Sequence, residues 1–157
     1  MILHTWTHSI PEQAALSSAS LSVRDKVSLL EDEMRKHEQI DIPLRHHFSP
    51  GVYAREITIP AGTLLTGRIH KYEQLNILSG GEISVLTDDG MKRVCAPFTV
   101  VSPPGTKRIA YAHTECTWTT ILATEEKDPE KIEAAFTVAT EQEFLEFAEA
   151  QKLIGQT

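Results

Sequence analysis

Aromatic residues make up only 6% of this 157-residue chain, cysteines number two, and no apolar run approaches the ~20 residues that a membrane-spanning helix requires. Each shortage closes off a class. A bilayer-crossing helix is not expected. Cys95 and Cys116 are too few for a disulfide scaffold and form no C-x-x-C motif, so two reduced, buried thiols are expected. Cations are short as well. With 15 Lys and Arg against 22 Asp and Glu, the net charge of −7 argues against broad nucleic-acid binding, which needs a positive field to release counterions. Lys92, Arg93, Lys107 and Arg108 are close enough in sequence to form a local basic patch, although alternation along a strand favours a solvated face. The chain also lacks a Gly-rich phosphate loop, a G-x-S-x-G elbow and a zinc-protease helix, which leaves nucleophilic hydrolysis without a candidate. MILHTWTHSIPEQ has no positive n-region or long apolar h-region, and a cytoplasmic location is expected.

What is present reads as a soluble globular domain, 41% hydrophobic and 24% charged, flanked by helical ends. Residues 1–42 form an N-terminal arm and a helix. The arm, residues 1–19, has no sustained periodicity. From Ser22 to about His37, Val23, Val27, Leu30 and Met34 recur at helical spacing, with Ser22 as the expected N-cap. Residues 43–124 change to short alternating runs: VYAREITIP, GTLLTGRIH, QLNILSG, GEISVLTDD, MKRVCAPFTVVS, TKRIAYAHTE and CTWTTILAT. Turns follow from Pro60-Ala61-Gly62, Ser79-Gly80-Gly81, Asp88-Asp89-Gly90 and Pro103-Pro104-Gly105. Strands at this spacing predict an all-β sandwich or barrel. In residues 125–157, Asp128-Pro129 opens one helix, and Thr140 with Glu143 forms a capping box for another. Phe144, Leu145, Phe147 and Ala148 make its apolar stripe.

Two segments carry a family resemblance. Gly62 to Gly80, GTLLTGRIHKYEQLNILSG, resembles the first cupin motif, with Arg68-x-His70 at the histidine pair, Gln74 at the glutamate and Gly80 at the closing glycine. Pro103-Pro104-Gly105 resembles the turn of the second motif, with Arg108 at its histidine. The chain therefore resembles the RmlC-like cupin superfamily over about residues 45–124, and the resemblance implies a jelly-roll barrel with flanking α-helices. The run from RHHFSPGVYAREITIP to AHTECTWTT is similar to uncharacterised cupin-like proteins of tailed-bacteriophage genomes. That resemblance implies a phage setting, with possible roles as a structural protein among protein partners in a particle.

The substituted ligands shape the functional expectations. Arg has no lone pair for a metal, so the three-His, one-Glu centre of the family is excluded by donor chemistry. A reduced divalent-metal site would use His70 with Gln74 or Glu73 and His113, although strand parity turns His113 away from Arg108 unless a bulge intervenes. That site would suit a metal-dependent cupin isomerase or dioxygenase. Alternatively, Arg68 and Arg108 beside His70, with Tyr111 near, make a cationic cup for a carboxylate, phosphate or sulfate and hence an anion-binding sensor. The plainer reading makes both arginines internal struts paired with Glu56, Glu73 or Glu82. An epimerase-like pair would take His70 with Tyr72 or Tyr111. Arg45-His46-His47 reads as a surface cluster, and Trp118 as an inward core residue. The first expectation is a non-catalytic binding or structural/assembly module, a homo-oligomer through its helical ends, with no membrane or nucleic-acid role.

Overall fold

The computed structural model describes residues 4–6, 23–87 and 90–155. The N-cap expected at Ser22, most of the N-terminal arm and the Asp88-Asp89 part of one expected turn lie outside the described residues. In chain order the elements are β1 (His4–Trp6), α1 (Val23–Met34), β2 (Leu44–Ser49), β3 (Val52–Ile59), β4 (Leu64–His70) and β5 (Gln74–Gly80). They continue with β6 (Glu82–Thr87), β7 (Gly90–Cys95), β8 (Phe98–Ser102), β9 (Lys107–Ala112), β10 (Cys116–Ala123), α2 (Pro129–Phe136), β11 (Thr137–Val138) and α3 (Glu141–Ile154).

The strands form two antiparallel sheets. One runs β1-β4-β9-β6-β7 with β11 also on β4, and the other runs β2-β3-β10-β5-β8. Most connections cross from one sheet to the other, which makes a jelly roll rather than a meander. Ile57, Ile59, Leu78, Cys116 and Trp118 from one sheet meet Leu65, Ile83, Val94, Ala110 and Ala112 from the other in the main core. Alternation puts these residues inward because successive strand side chains point to opposite faces.

Three local differences from the expected elements have physical causes. The run MKRVCAPFTVVS divides at Ala96-Pro97, a cis peptide bond; Pro97 has no N–H to continue the ladder, so β7 stays with β6 while β8 joins β5 in the other sheet. LRHHFS is a six-residue edge strand, β2, turned back onto β3 through Pro50-Gly51, with Gly51 at φ 72°. Cys116 is buried as expected, but Cys95 is exposed because Val94 takes the inward face.

The α1 helix covers the outer face of the first sheet. Val27 and Met34, with Leu30, pack on Leu64, Ile109 and Leu86. It ends at Met34, earlier than His37, because Gln39 turns back and its Nε2 donates to the Met34 carbonyl at 2.7 Å. A half-buried ion pair, Lys107 Nζ to Glu31 Oε2 at 2.7 Å, fastens α1 to β9. At the C-terminal end, Asp128 accepts from the Glu130 N–H, and Thr140 and Glu143 form the expected reciprocal cap. Phe144 packs on Gly105 and Phe147 stands edge-on to Tyr72, so the barrel uses part of the α3 stripe, whereas Leu145 stays exposed. Among the described residues no helix is long and apolar enough to cross a membrane.

Candidate functional site

One polar layer interrupts the apolar interior. Arg55 on β3 stands in register with Thr120 on β10, and Thr120 with Asn76 on β5. Two residues along the same faces in one direction are Ile57 and Trp118, in the main core. In the other direction Tyr53 and Leu122 pack with Ile132 and Phe136 of α2. The layer is therefore closed on one side by the core and on the other by α2.

A bulge in β4 brings two more groups to this layer. Between Thr66↔Ile109 and Ile69↔Lys107, β4 has one residue more than β9. The extra residue reverses the parity of the strand, so that Leu65 and Gly67 before it and Arg68 and His70 after it all line one cavity. Arg55, Arg108, Thr120 and Thr137 complete its polar wall. The cavity measures about 50 Å³, room for roughly four waters at ~10–15 Å³ each. A larger cleft of about 720 Å³, walled by Val85, Phe98 and Val100, lies beyond Arg108 and Trp118, which line both spaces.

Asn76 fixes the geometry. Its Oδ1 accepts from Arg108 Nη1 at 3.1 Å, Trp118 Nε1 at 3.3 Å and Thr120 Oγ1 at 2.8 Å, and its Nδ2 donates to Ser102 Oγ at 3.1 Å. Ser102 Oγ also accepts from Arg108 Nη2 at 2.7 Å. Arg108 thus lies over the Trp118 ring, 4.5 Å from its centroid, with two N–H groups committed before any ligand arrives. Arg68 is set by Nε donation to Thr137 Oγ1 at 2.9 Å, and Glu133 stands 3.8 Å from the same nitrogen. Arg55 has no carboxylate in ion-pair contact among the described residues.

Burial and like charge oppose ionisation here. Burial first, then the charge of Arg55, pushes Arg108 down to about 10, which leaves it cationic at neutral pH. Burial also lowers the pKa of Arg55. His70 is pushed down to about 3 by burial, then by Arg55 and Arg108, so its ring is neutral. Its Nδ1 is buried without a hydrogen-bond partner.

The structure brings Arg68, His70 and Arg108 together and leaves the other expected site residues apart. Tyr111 is exposed on the outer face of β9, edge-on to His113, whose Nε2 is 2.7 Å from Ser84 Oγ. His113 stays on the outer side, as strand parity alone has it, and the bulge that reaches the site lies in β4. Gln74 is buried at the start of β5 with neither amide atom hydrogen-bonded, while Glu73 is exposed. The charged groups around His70 are guanidiniums, which have no lone pair, and among the described residues no three His, Cys, Asp or Glu gather in metal-binding range. These residues do not fit a divalent ion.

The expected struts are absent too. Glu56 faces Arg45 and His47, Glu82 holds Arg93, and among the described residues the carboxylate in ion-pair range of the inner arginines is Glu133 of α2. The supposed basic patch is dispersed: Arg93 and Lys107 are paired, Lys92 lies over Phe98, and Arg108 is inside. Sequence reading missed Arg55, Asn76, Ser102, Thr120, Thr137 and Glu133. Arg55 and Asn76 had a legible signal, since each occupies an inward position in an alternating strand.

No protein-family model matches the chain, and no curated protein does either. Solved structures similar to it include an acetylacetone dioxygenase from Acinetobacter johnsonii, at 17% identity and TM-score 0.45, covering 52% of this chain and 59% of that one. A cupin-2 domain containing protein from Shewanella frigidimarina is similar at 15% identity and TM-score 0.45, covering 66% of this chain and 100% of that one. An RmlC-like cupin from the same organism is similar at 20% identity and TM-score 0.47, covering 57% and 84%. The chain spans less than two thirds of the dioxygenase.

Proposed function

We propose that this chain is a non-catalytic jelly-roll binding module that captures a small anion in its arginine-lined interior. The observation that carries the reading is the convergence of Arg55, Arg68 and Arg108 on one cavity where, among the described residues, Glu133 is the carboxylate in ion-pair range and Glu143 acts on Arg68 from farther off. Buried charges are ordinarily paired, and a surplus of guanidinium invites an acceptor from outside. His70 supports binding over proton transfer. A ring whose conjugate acid is as strong as a pKa of about 3 implies is a weak general base at neutral pH.

Self-association through α3 is compatible with exposed Leu145, Leu153 and Ile154. The phage setting rests on the sequence resemblance alone. The test of the binding function is a thermal-shift series of chloride, nitrate, acetate, phosphate and sulfate against wild-type, Arg68→Ala and Arg108→Met proteins. A ligand at about 100 times its Kd stabilises by about 2.7 kcal/mol. Wild-type protein should melt higher with at least one anion beyond chloride, and the shift should vanish in both variants. Equal shifts in all three proteins would place the anion elsewhere and end the proposal.

A further inference from the structure

Resting on the anion-binding reading, we infer that the group held by the arginine cavity is a dianionic tetrahedral oxyanion, a phosphoryl group. Charge is the first reason. Among the described residues, three guanidinium groups face the Glu133 carboxylate in ion-pair range and Glu143 acts on Arg68 from farther off, which leaves a surplus of positive charge because His70 is uncharged. A dianion answers more of that surplus than a monocarboxylate does.

Hydrogen-bond capacity is the second reason. Each guanidinium has five N–H donors and no acceptor. Arg108 commits one N–H to Asn76 and one to Ser102, and Arg68 commits Nε–H to Thr137. Arg55 commits none to a carboxylate among the described residues. The neutral groups of the wall absorb only part of this excess, since each threonine hydroxyl offers at most two lone pairs. Thr120 already donates to Asn76, and Thr137 donates to the Glu133 carbonyl at 2.8 Å while accepting from Arg68. The cavity is rich in donors and poor in acceptors, and its complement is an acceptor-only group with oxygens pointing several ways. A phosphoryl dianion has three terminal oxygens around one centre, whereas a carboxylate has two in one plane.

Volume is the third. About 50 Å³ fits one compact oxyanion and not a sugar or nucleotide. The larger body of an ester would have to lie past Arg108 and Trp118, in the cleft of about 720 Å³ that shares those two residues. Free phosphate and a phosphate monoester present the same chemistry to the arginines, and the cleft distinguishes them.

The experiment is isothermal titration of the full chain in low-ionic-strength buffer at about pH 8, where phosphate is a dianion. The titrants are inorganic phosphate, sulfate, glycerol 3-phosphate and acetate. Phosphate and sulfate should bind once per chain, roughly tenfold tighter than acetate, as an added charge-assisted bond implies. Glu133→Gln, which removes the rim carboxylate, should tighten phosphate severalfold. Arg55→Gln should weaken phosphate by about tenfold and bring the phosphate-to-acetate ratio toward one. Tighter glycerol 3-phosphate than phosphate assigns an ester, and the reverse order assigns the free ion; either supports the phosphoryl class. Acetate equal to or tighter than phosphate overturns that class while leaving an anion site. No saturable binding of any titrant overturns both.

Discussion

Replacing Arg55 by methionine should make the ligand-free protein more stable while abolishing its response to anions. The magnitude follows from the neighbouring cation. Arg108 falls from the ordinary arginine range to about 10, and at ~1.4 kcal/mol per pKa step that is about 3 kcal/mol held against the folded state at neutral pH. Burial contributes the larger part and the like charge of Arg55 the remainder. Arg55 carries a burial cost of its own, since its pKa is lowered for the same reason and Glu133 acts on it only from a distance. Methionine keeps the apolar stem of the side chain and discards the charge. Replacing poorly compensated buried charge with an apolar side chain commonly stabilises by about 1–4 kcal/mol. The lower half of that range fits here, and at ~2–4 °C per kcal/mol the melting temperature should rise by several degrees. Urea unfolding in chloride buffer measures the first effect, and the same titration in sulfate measures the second. Sulfate should stabilise wild-type protein and leave Arg55→Met unmoved. A loss of more than about 1 kcal/mol in chloride would refute the reasoning, because it would mean that the guanidinium is already satisfied within the fold.

Other expected outcomes follow from the same geometry. His70 titrates at about 3 in the folded chain and at 6.5 when unperturbed, so the unfolded chain takes up a proton first as pH falls. Its contribution should be constant above about pH 6.5 and be lost toward pH 3 at up to ~1.4 kcal/mol per pH unit, and urea midpoints should fall less steeply in His70→Gln. Glu31→Gln weakens the partner of the half-buried ammonium of Lys107, 2.7 Å away, and should cost about 1.5–3 kcal/mol by urea unfolding. Lys107→Met in the same background should recover much of that loss. Gly81→Ala should prevent or severely impair folding, measured by circular dichroism, because Gly81 holds φ +86° and an added Cβ would lie 2.1 Å from the Glu115 carbonyl oxygen.

Much of the fold was legible in the chain because alternation and Gly/Pro punctuation report strands directly. Trp118 and the caps at Asp128 and Thr140 were readable for the same reason: their signals are local. The sheet change at Pro97 and the edge strand around His46-His47 were harder, since neither has an alternating apolar face of its own. At the site, His70, Arg68 and Arg108 were found through motif positions, but parity failed at β4, where one inserted residue moves Arg68 and His70 to the inner face. Parity alone correctly distrusted His113. Glu133 could not be found locally. It reaches the arginines only because α2 closes over the barrel and β11 pairs with β4 at Thr137↔His70. Glu56 and Glu82, the expected partners, are outward residues answered by Arg45 and Arg93 on neighbouring strands.

The arginine cavity is the centre of the functional reading, and the most direct measurement of it is anomalous diffraction from crystals of the wild-type chain grown in selenate, an oxyanion shaped like sulfate and phosphate. An anion site there gives a selenium peak within hydrogen-bonding distance of the Arg55, Arg68 and Arg108 guanidiniums, absent from Arg55→Met crystals. Peaks confined to surface residues, with the cavity holding only water in both proteins, would contradict it.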